Sequence, residues 1–218
     1  MVGNMEGTAL SKILKVKPAD GYPPEEGCYF RGNDYSPIAV AVILQWSRGR
    51  MPPDIEKLVK VALESGAALA GTVRTENIGL EKVICNIVAN PNIRYLAVCG
   101  PESPDHLVGD AILALSRNGI DAQKRIIAAR APTPFLFNIP DEFLVRFRQQ
   151  IAVIDLVNED SPDSVREAVL ASRQEEPSRF REYTLSDPGA YPETALRGRI
   201  TWHVANPQQQ AKAEREQR

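Results

Sequence analysis

The stretch Ile93-Arg-Tyr-Leu-Ala-Val-Cys-Gly-Pro-Glu-Ser-Pro-Asp-His106-Leu-Val-Gly109 decides how the chain is read. Residues 95–98 form a short apolar run bounded by turn residues, the pattern of a buried strand. Gly100, Pro101 and Pro104 break regular structure behind it. Asp105 is placed to cap a helix over residues 107–117. His106, one of only two histidines, therefore falls at the C-terminal end of a strand and the start of a helix. In open α/β sheets that edge is where ligands bind.

The same strand–helix alternation continues on both sides. Residues 38–44 are apolar throughout, as in a parallel strand buried on both faces. Asp54 is a candidate N-cap for a helix over 55–65, where Ile55, Leu58, Val59 and Ala62 share one face, and Gly66 follows as a stop. A second strand is expected over 67–71, a polar loop over 72–77, a helix over 78–89 and a sharp connector at Asn90-Pro-Asn92. Beyond the opening stretch, Asn118-Gly119 closes a helix. Residues 125–129 read as a fourth strand and 131–135 as a rigid loop. Residues 141–150 read as a helix with Phe143, Val145 and Phe147 toward its apolar side. Residues 151–157 are a fifth strand, with a further helix from Asp160. Residues 28–30 read as a short edge strand, and 9–16 as a marginal helix or strand. The expectation is an α/β fold: a single Rossmann-like, doubly wound, mostly parallel sheet with helices on both faces and an irregular C-terminal extension. It divides into an N-terminal lead (1–21), the α/β domain (22–176), and a proline-containing extension with a polar tail (177–218). Within the last part a strand is expected over 199–204 and a frayed or disordered end from 208.

Composition bounds the function. Among 218 residues, 43% are hydrophobic and 25% charged, with a formal net charge of −2. That is ordinary for a soluble globular protein and lacks the basic footprint of a nucleic-acid binder. No apolar run approaches a membrane span, so no membrane insertion is expected, and no signal pattern opens the chain, so the expected location is cytoplasmic. Cys28, Cys85 and Cys99 are odd in number and widely spaced, which fits neither a disulfide framework nor a Cys-x-x-Cys metal site.

Four polar segments following strands are candidates to converge on one face: 31–36, 72–77, 100–106 and 131–135. His106 has two readings, a surface or capping residue, or a metal ligand or general acid/base. As a ligand, its second ring nitrogen needs an acceptor, and Glu102, Asp105 and Asp110 are the near carboxylates. Thr75 and Asn77 either cap the next helix or hydrogen-bond a polar ligand, with Arg74 adding charge. No dinucleotide fingerprint, P-loop, nucleophile elbow or close Cys–His pair is present. Cys85 and Cys99 read as small buried hydrophobes.

Several blocks carry a family resemblance: residues 32–40, Glu64-Ser-Gly-Ala-Ala-Leu-Ala-Gly71, Thr75-Glu-Asn-Ile-Gly-Leu-Glu-Lys82 and Ile87-Val-Ala-Asn-Pro-Asn-Ile-Arg94. Val98-Cys-Gly100, Glu102, His106, Gly109, Ile139-Pro-Asp-Glu142 and Arg146-Phe-Arg-Gln-Gln150 extend them. Over residues 22–175 the chain resembles the corrinoid-carrying A-type component of tetrahydromethanopterin S-methyltransferase. The resemblance implies a corrinoid (cobalamin) over the C-terminal edge of the sheet, His106 as protein ligand to its cobalt, and a partner methyltransferase protein. Thr75, Glu76, Asn77, Gly79, Gly100 and Gly109 would then shape the cofactor pocket. Against the family's membrane-bound members, no transmembrane anchor is expected here, and Pro104-Asp105 stands where Gln-Gly is usual. The resemblance thus implies a soluble homologue acting in pterin- or folate-linked one-carbon transfer. The alternative is a pterin- or folate-linked accessory protein, or an interaction module, that keeps the fold without cobalt. In the pterin version Arg31, Asp34, Arg74 and Glu76 would hold the ligand.

Overall fold

A computed structural model describes residues 14–45 and 51–200. Its elements run β1 (Tyr29–Arg31), β2 (Ile38–Ile43), α1 (Pro53–Glu64), β3 (Leu69–Val73), α2 (Ile78–Val88), β4 (Tyr95–Gly100) and α3 (Val108–Asn118). They continue with α4 (Asp141–Gln150), β5 (Ala152–Val157), α5 (Pro162–Ser172), β6 (Ser178–Phe180) and β7 (Tyr183–Leu185). The result is a mixed α/β structure around a mostly parallel five-stranded sheet of order β1-β3-β2-β4-β5. Strands β2 to β5 are parallel, and β1 adds antiparallel to β3. No helix among the described residues is long and apolar enough to cross a membrane.

The continuous apolar run of β2 has a simple cause. Successive side chains alternate between faces, and both faces are covered. Ile38, Val40, Val42 and Leu44 pack into one core with α1 and α5. Ala39, Ala41 and Ile43 pack into the other with α2, α3 and α4. The register Val40↔Ala70 and Val40↔Ala97 places β2 at the centre of the parallel set.

The antiparallel direction of β1 corrects one expectation. Arg31 pairs with Leu69, the first residue of β3, so segment 31–36 emerges at the N-terminal edge of the parallel strands. There it is pinned by the Asn90 and Asn92 amides, which both donate to the Asp34 carbonyl at 3.0 Å. Arg31 turns back onto Asp34 at 2.6 Å. Only three of the four polar segments therefore share the C-terminal edge, and Arg31 and Asp34 cannot join Arg74 and Glu76 in one pterin site.

Other expectations shift as well. Residues 125–129 form no sheet strand; they make the isolated bridges Ile120↔Ile126 and Arg125↔Phe135 within an irregular excursion between α3 and α4. Helix α1 starts early, with Pro53 at its first position, so Pro52 rather than Asp54 is the N-cap. Val145 is exposed, and Leu144 takes its place beside Phe143 and Phe147 in the core. The sequence reading missed the β6–β7 hairpin, whose Phe180 and Leu185 are buried under α5. Arg199 and Ile200 lie in no strand; residues 201–204, the polar tail and residues 9–13 lie outside the described residues.

The C-terminal extension is fastened at the N-terminal edge by Arg146. Its guanidinium is 5% exposed, pairs with Glu193 at 2.6 Å, and donates to the Glu193 and Thr194 carbonyls at 3.0 Å each. It also lies 4.2 Å over the Tyr191 ring. Gln150, which accepts from Arg146, donates in turn to the Asn90 and Ile93 carbonyls.

Candidate functional site

At the end of β3 the chain turns through Arg74, Thr75 and Glu76 into α2. Asn77 caps the helix, its Oδ1 accepting from the Ile78 N–H at 2.7 Å. Thr75 Oγ1 accepts from the Gly79 N–H at 2.9 Å. A Cβ at residue 79 would stand 2.8 Å from that hydroxyl, so glycine permits the Thr75 contact. The tight turn drives Glu76 inward, where its side chain is fully buried.

The loop after β4 is built differently from the sequence reading. Asp105 is exposed and caps nothing; Leu107 is the N-cap of α3, in a left-handed conformation with φ 45° and no side-chain cap. Glu102 does the capping from within the loop. Its Oε1 accepts from the Ser103 and Gly109 N–H groups, and its Oε2 from the Asp110 N–H at 2.9 Å. A carboxylate on the free N–H groups of a first turn satisfies donors that have no helical partner and opposes the helix dipole. Gly109 allows this approach, since a Cβ there would meet Glu102 Oε2 and Val157 Cγ2 at 2.7 Å. Gln45 and Asn158 hold the loop from its two flanks, through the Glu102 carbonyl and N–H. Gly100 turns the strand out of the sheet at φ +92°.

These two loops meet at His106. Its Nδ1 lies 2.8 Å from Glu76 Oε2. The other oxygen of Glu76 accepts from the Thr133 N–H at 2.9 Å and the Thr133 hydroxyl at 2.6 Å. Thr133 Oγ1 accepts in turn from Asn77 Nδ2 at 3.1 Å. Opposite a carboxylate, which only accepts, a neutral imidazole donates from Nδ1 and carries its lone pair on Nε2. A histidine so oriented by a carboxylate is the usual arrangement of a metal-ligating imidazole.

His106 lines a cleft of roughly 270 Å³ with Leu44, Gln45, Arg74, Thr75 and Ser103. Pro104 and Asp105 form part of its rim. Ser103 is 3% exposed, and its Oγ has no hydrogen-bond partner among the described residues. Buried hydroxyls are almost always paired, so this orphan suits a site whose occupant brings a polar atom. With the free Nε2 lone pair, it makes a donor set suited to a metal-centred cofactor bearing polar substituents. The described residues hold no cluster of three or more His, Cys, Asp or Glu that would bind a bare ion.

Of the residues singled out from sequence, Thr75 and His106 line this cleft, and Glu76 and Asn77 form the hydrogen-bonded layer behind it. Gly100 and Gly109 do not line it: they stand at the two ends of the loop that carries His106, packed against Ile43, and Gly79 sits under the Thr75 turn. The near carboxylates do not serve His106: Glu102 caps α3, Asp110 pairs with Arg130, and Asp105 is exposed. Sequence reasoning missed Thr133 as Glu76's partner, Ser103 as the orphan hydroxyl, and Gln45 as a loop clamp. Burial pushes the Cys85 and Cys99 thiols up to about 12, which makes both poor nucleophiles.

The family model for the A component of tetrahydromethanopterin S-methyltransferase (MtrA) matches residues 15–200. Two such A components, numbered 1 and 2, are known from Methanothermobacter thermautotrophicus. The first is 37% identical over 185 residues, covering 84% of this chain and 68% of that protein. The second is 35% identical over 186 residues, covering 84% of this chain and 90% of that protein. The corresponding protein of Methanopyrus kandleri is 37% identical over 180 residues, covering 82% of this chain and 66% of that protein.

Proposed function

The chain belongs to the MtrA family of tetrahydromethanopterin S-methyltransferase components, and from that premise we propose that it is a corrinoid-binding methyl carrier. The single observation that best supports this reading is the Glu76–His106 hydrogen bond, which commits Nδ1 and leaves Nε2 as the ligand nitrogen beside the cleft. A bound corrinoid supplies a cobalt centre able to accept a methyl group and give it up again. In this reading His106 Nε2 would bind the cobalt and Glu76 would hold the imidazole tautomer. Thr133 and Asn77 fix Glu76, and Ser103 Oγ would be available to a polar substituent of the group. Thr75 and Arg74, which line the same cleft, would border the bound group.

The strand order supports the finer reading of the fold. The parallel strands run outward in both directions from β2, with helices on both faces, as in a Rossmann-like, doubly wound sheet. In such sheets the crevice beside the reversal is the ligand site. We assign the carrier to pterin- or folate-linked one-carbon transfer in the cytoplasm, with residues 22–176 as the cofactor domain and 177–218 as an appended extension.

Reconstitution with hydroxocobalamin tests this reading. The protein should retain the corrinoid through desalting, with a visible spectrum shifted by imidazole coordination. His106→Ala should abolish the shift while leaving the fold, followed by circular dichroism, intact. A wild-type protein that retains no corrinoid under oxidising or reducing conditions overturns the proposal.

A further inference from the structure

A second cleft, of roughly 210 Å³, lies between the sheet and α2 and shares only Arg74 with the His106 cleft. Its origin is a shortage of side-chain volume. The sheet presents Ala39, Ala41 and Gly71 to this face, and α2 answers with Val83 and Ile87. Protein interiors are otherwise packed to crystal density. The outer wall is a strap, residues 26–29, which lies on β3 so closely that a Cβ at Gly71 would come within 2.4 Å of Tyr29 Cβ. The Thr72 N–H ties the strap down by donating to the Cys28 carbonyl at 2.9 Å.

The lining is mostly apolar, and charge is confined to the rim, where Arg74, Lys82 and the exposed Glu26 stand. Lys82 Nζ donates to the Glu26 carbonyl at 3.2 Å, holding its ammonium at the strap. Among the described residues the Arg74 guanidinium has no hydrogen-bond or ion-pair partner, and Arg74 borders both this cleft and that of His106. Lys82 and Glu26 stand together at the strap, which leaves the Arg74 guanidinium as the charge that favours an anionic group at the rim. An apolar cavity of about 150 Å³ takes a benzene ring, so this one suits an apolar body of roughly eight to ten non-hydrogen atoms.

We propose that the strap-covered cleft between β3 and α2 binds a small apolar acid, its hydrocarbon body against Ala39, Ala41 and Val83 and its anionic group at Arg74. The apolar body lies apart from the His106 cleft, and Arg74 is the one lining residue the two clefts share. The test uses the full chain and three probes: 2-naphthoate, the neutral 2-naphthamide, and octanoate as a chain-shaped acid. Binding is measured by calorimetry and by alkylation of Cys28, the exposed thiol on the strap; Cys85 and Cys99 are buried and silent. At least one acid should bind saturably and slow Cys28 alkylation, and which acid does so gives the shape of the body. Arg74→Gln, an exposed position, should weaken the acid roughly tenfold while changing the amide little. Filling the cleft from opposite walls, by Ala41→Leu or Val83→Phe, should abolish binding in whichever variant keeps the wild-type melting profile. His106→Ala should leave binding unchanged. Absence of saturable binding by either acid overturns the proposal, as does an amide that binds as tightly as its acid. So does a loss of binding in His106→Ala, which would put the acid in the other cleft.

Discussion

Replacing Glu76 by glutamine is the sharpest probe of the His106 arrangement, because shape is kept and only the donor pattern changes. One carboxylate oxygen accepts two donors from Thr133, and one of these is a backbone N–H that cannot rotate away. The substituted amide must therefore turn its carbonyl oxygen toward Thr133 and its NH2 toward His106 Nδ1. Nδ1 must then accept, which moves the ring proton to Nε2 and removes the lone pair facing the cleft. A donor facing a donor in a buried site costs about 1–3 kcal/mol. The carboxylate penalises one tautomer and the amide the other, so the substitution swings the equilibrium by about 2–6 kcal/mol. The lower end already corresponds to a factor of about 30. Ring 15N spectra of the neutral imidazole read this directly, with His106→Ala identifying the signals and separating them from the other histidine. Protonated Nδ1 should be seen in the wild type and protonated Nε2 in Glu76→Gln, and cobalt coordination should be lost in the variant. If the variant keeps Nδ1 protonated, or coordinates cobalt as the wild type does, Glu76 does not select the ligand nitrogen.

Three further outcomes are expected. Thr133→Val keeps the backbone N–H to Glu76 but removes the hydroxyl that bridges Glu76 and Asn77; it should cost about 2 kcal/mol in urea denaturation and leave corrinoid content lower. Arg146→Met strips the buried donor of the Glu193 and Thr194 carbonyls; a loss of about 3 kcal/mol and earlier proteolytic cutting near residue 191 should follow, whereas a loss under about 1 kcal/mol would mean the extension is held by other contacts. Burial raises Cys85 and Cys99 from 9.0 to about 12, so the folded state retains protons that the unfolded chain releases. Stability should hold below pH 9 and then fall as pH rises, each thiol contributing a slope of about 1.4 kcal/mol per unit, or about 3 kcal/mol for the pair by pH 10. Replacing both by alanine should flatten that limb, and an unchanged limb would refute it.

The fold was legible where periodicity and burial coincide. Residues 38–44, 78–89 and 95–98 could be read because a strand covered on both faces is apolar throughout and α2 repeats its apolar residues at helical spacing, while 151–157, an edge strand, shows its buried side through Ile154 and Leu156. Residues 125–129 failed for the same reason: an Ile-Ile-Ala-Ala run looks like a strand, yet here Ile126 is buried in the core while Ile127 is exposed on an excursion with only isolated bridges. The blocks carrying the family resemblance also prove to be of two kinds. Asn90-Pro-Asn92 and Arg146-Phe-Arg-Gln-Gln150 tie the N-terminal edge together, far from His106. Thr75-Glu-Asn-Ile-Gly79 and the His106 loop build the cleft.

The partner of His106 was illegible because it depends on strand order, which no local pattern encodes. Glu76 follows β3 and His106 follows β4, and these strands are not neighbours; β2 lies between them. Helix α1 carries the chain after β2 to one face of the sheet, while α2 and α3 carry the chains after β3 and β4 to the other. With the β2 chain diverted, the two flanking loops can close over its end and touch. Carboxylates next to His106 in sequence were the natural expectation, but the Glu102 carboxylate is spent on three backbone N–H groups that let α3 begin without a conventional cap. The loop that presents His106 is therefore held rigid by one glutamate, and the tautomer of its imidazole is set by another, 30 residues away. Separating the two tasks means that a substitution at Pro104 or Asp105, both exposed, can alter the rim of the cleft without disturbing the imidazole behind it. A substitution at that pair then changes what approaches the site from outside, and Asp105→Gly should leave the ring 15N spectrum of His106 unchanged.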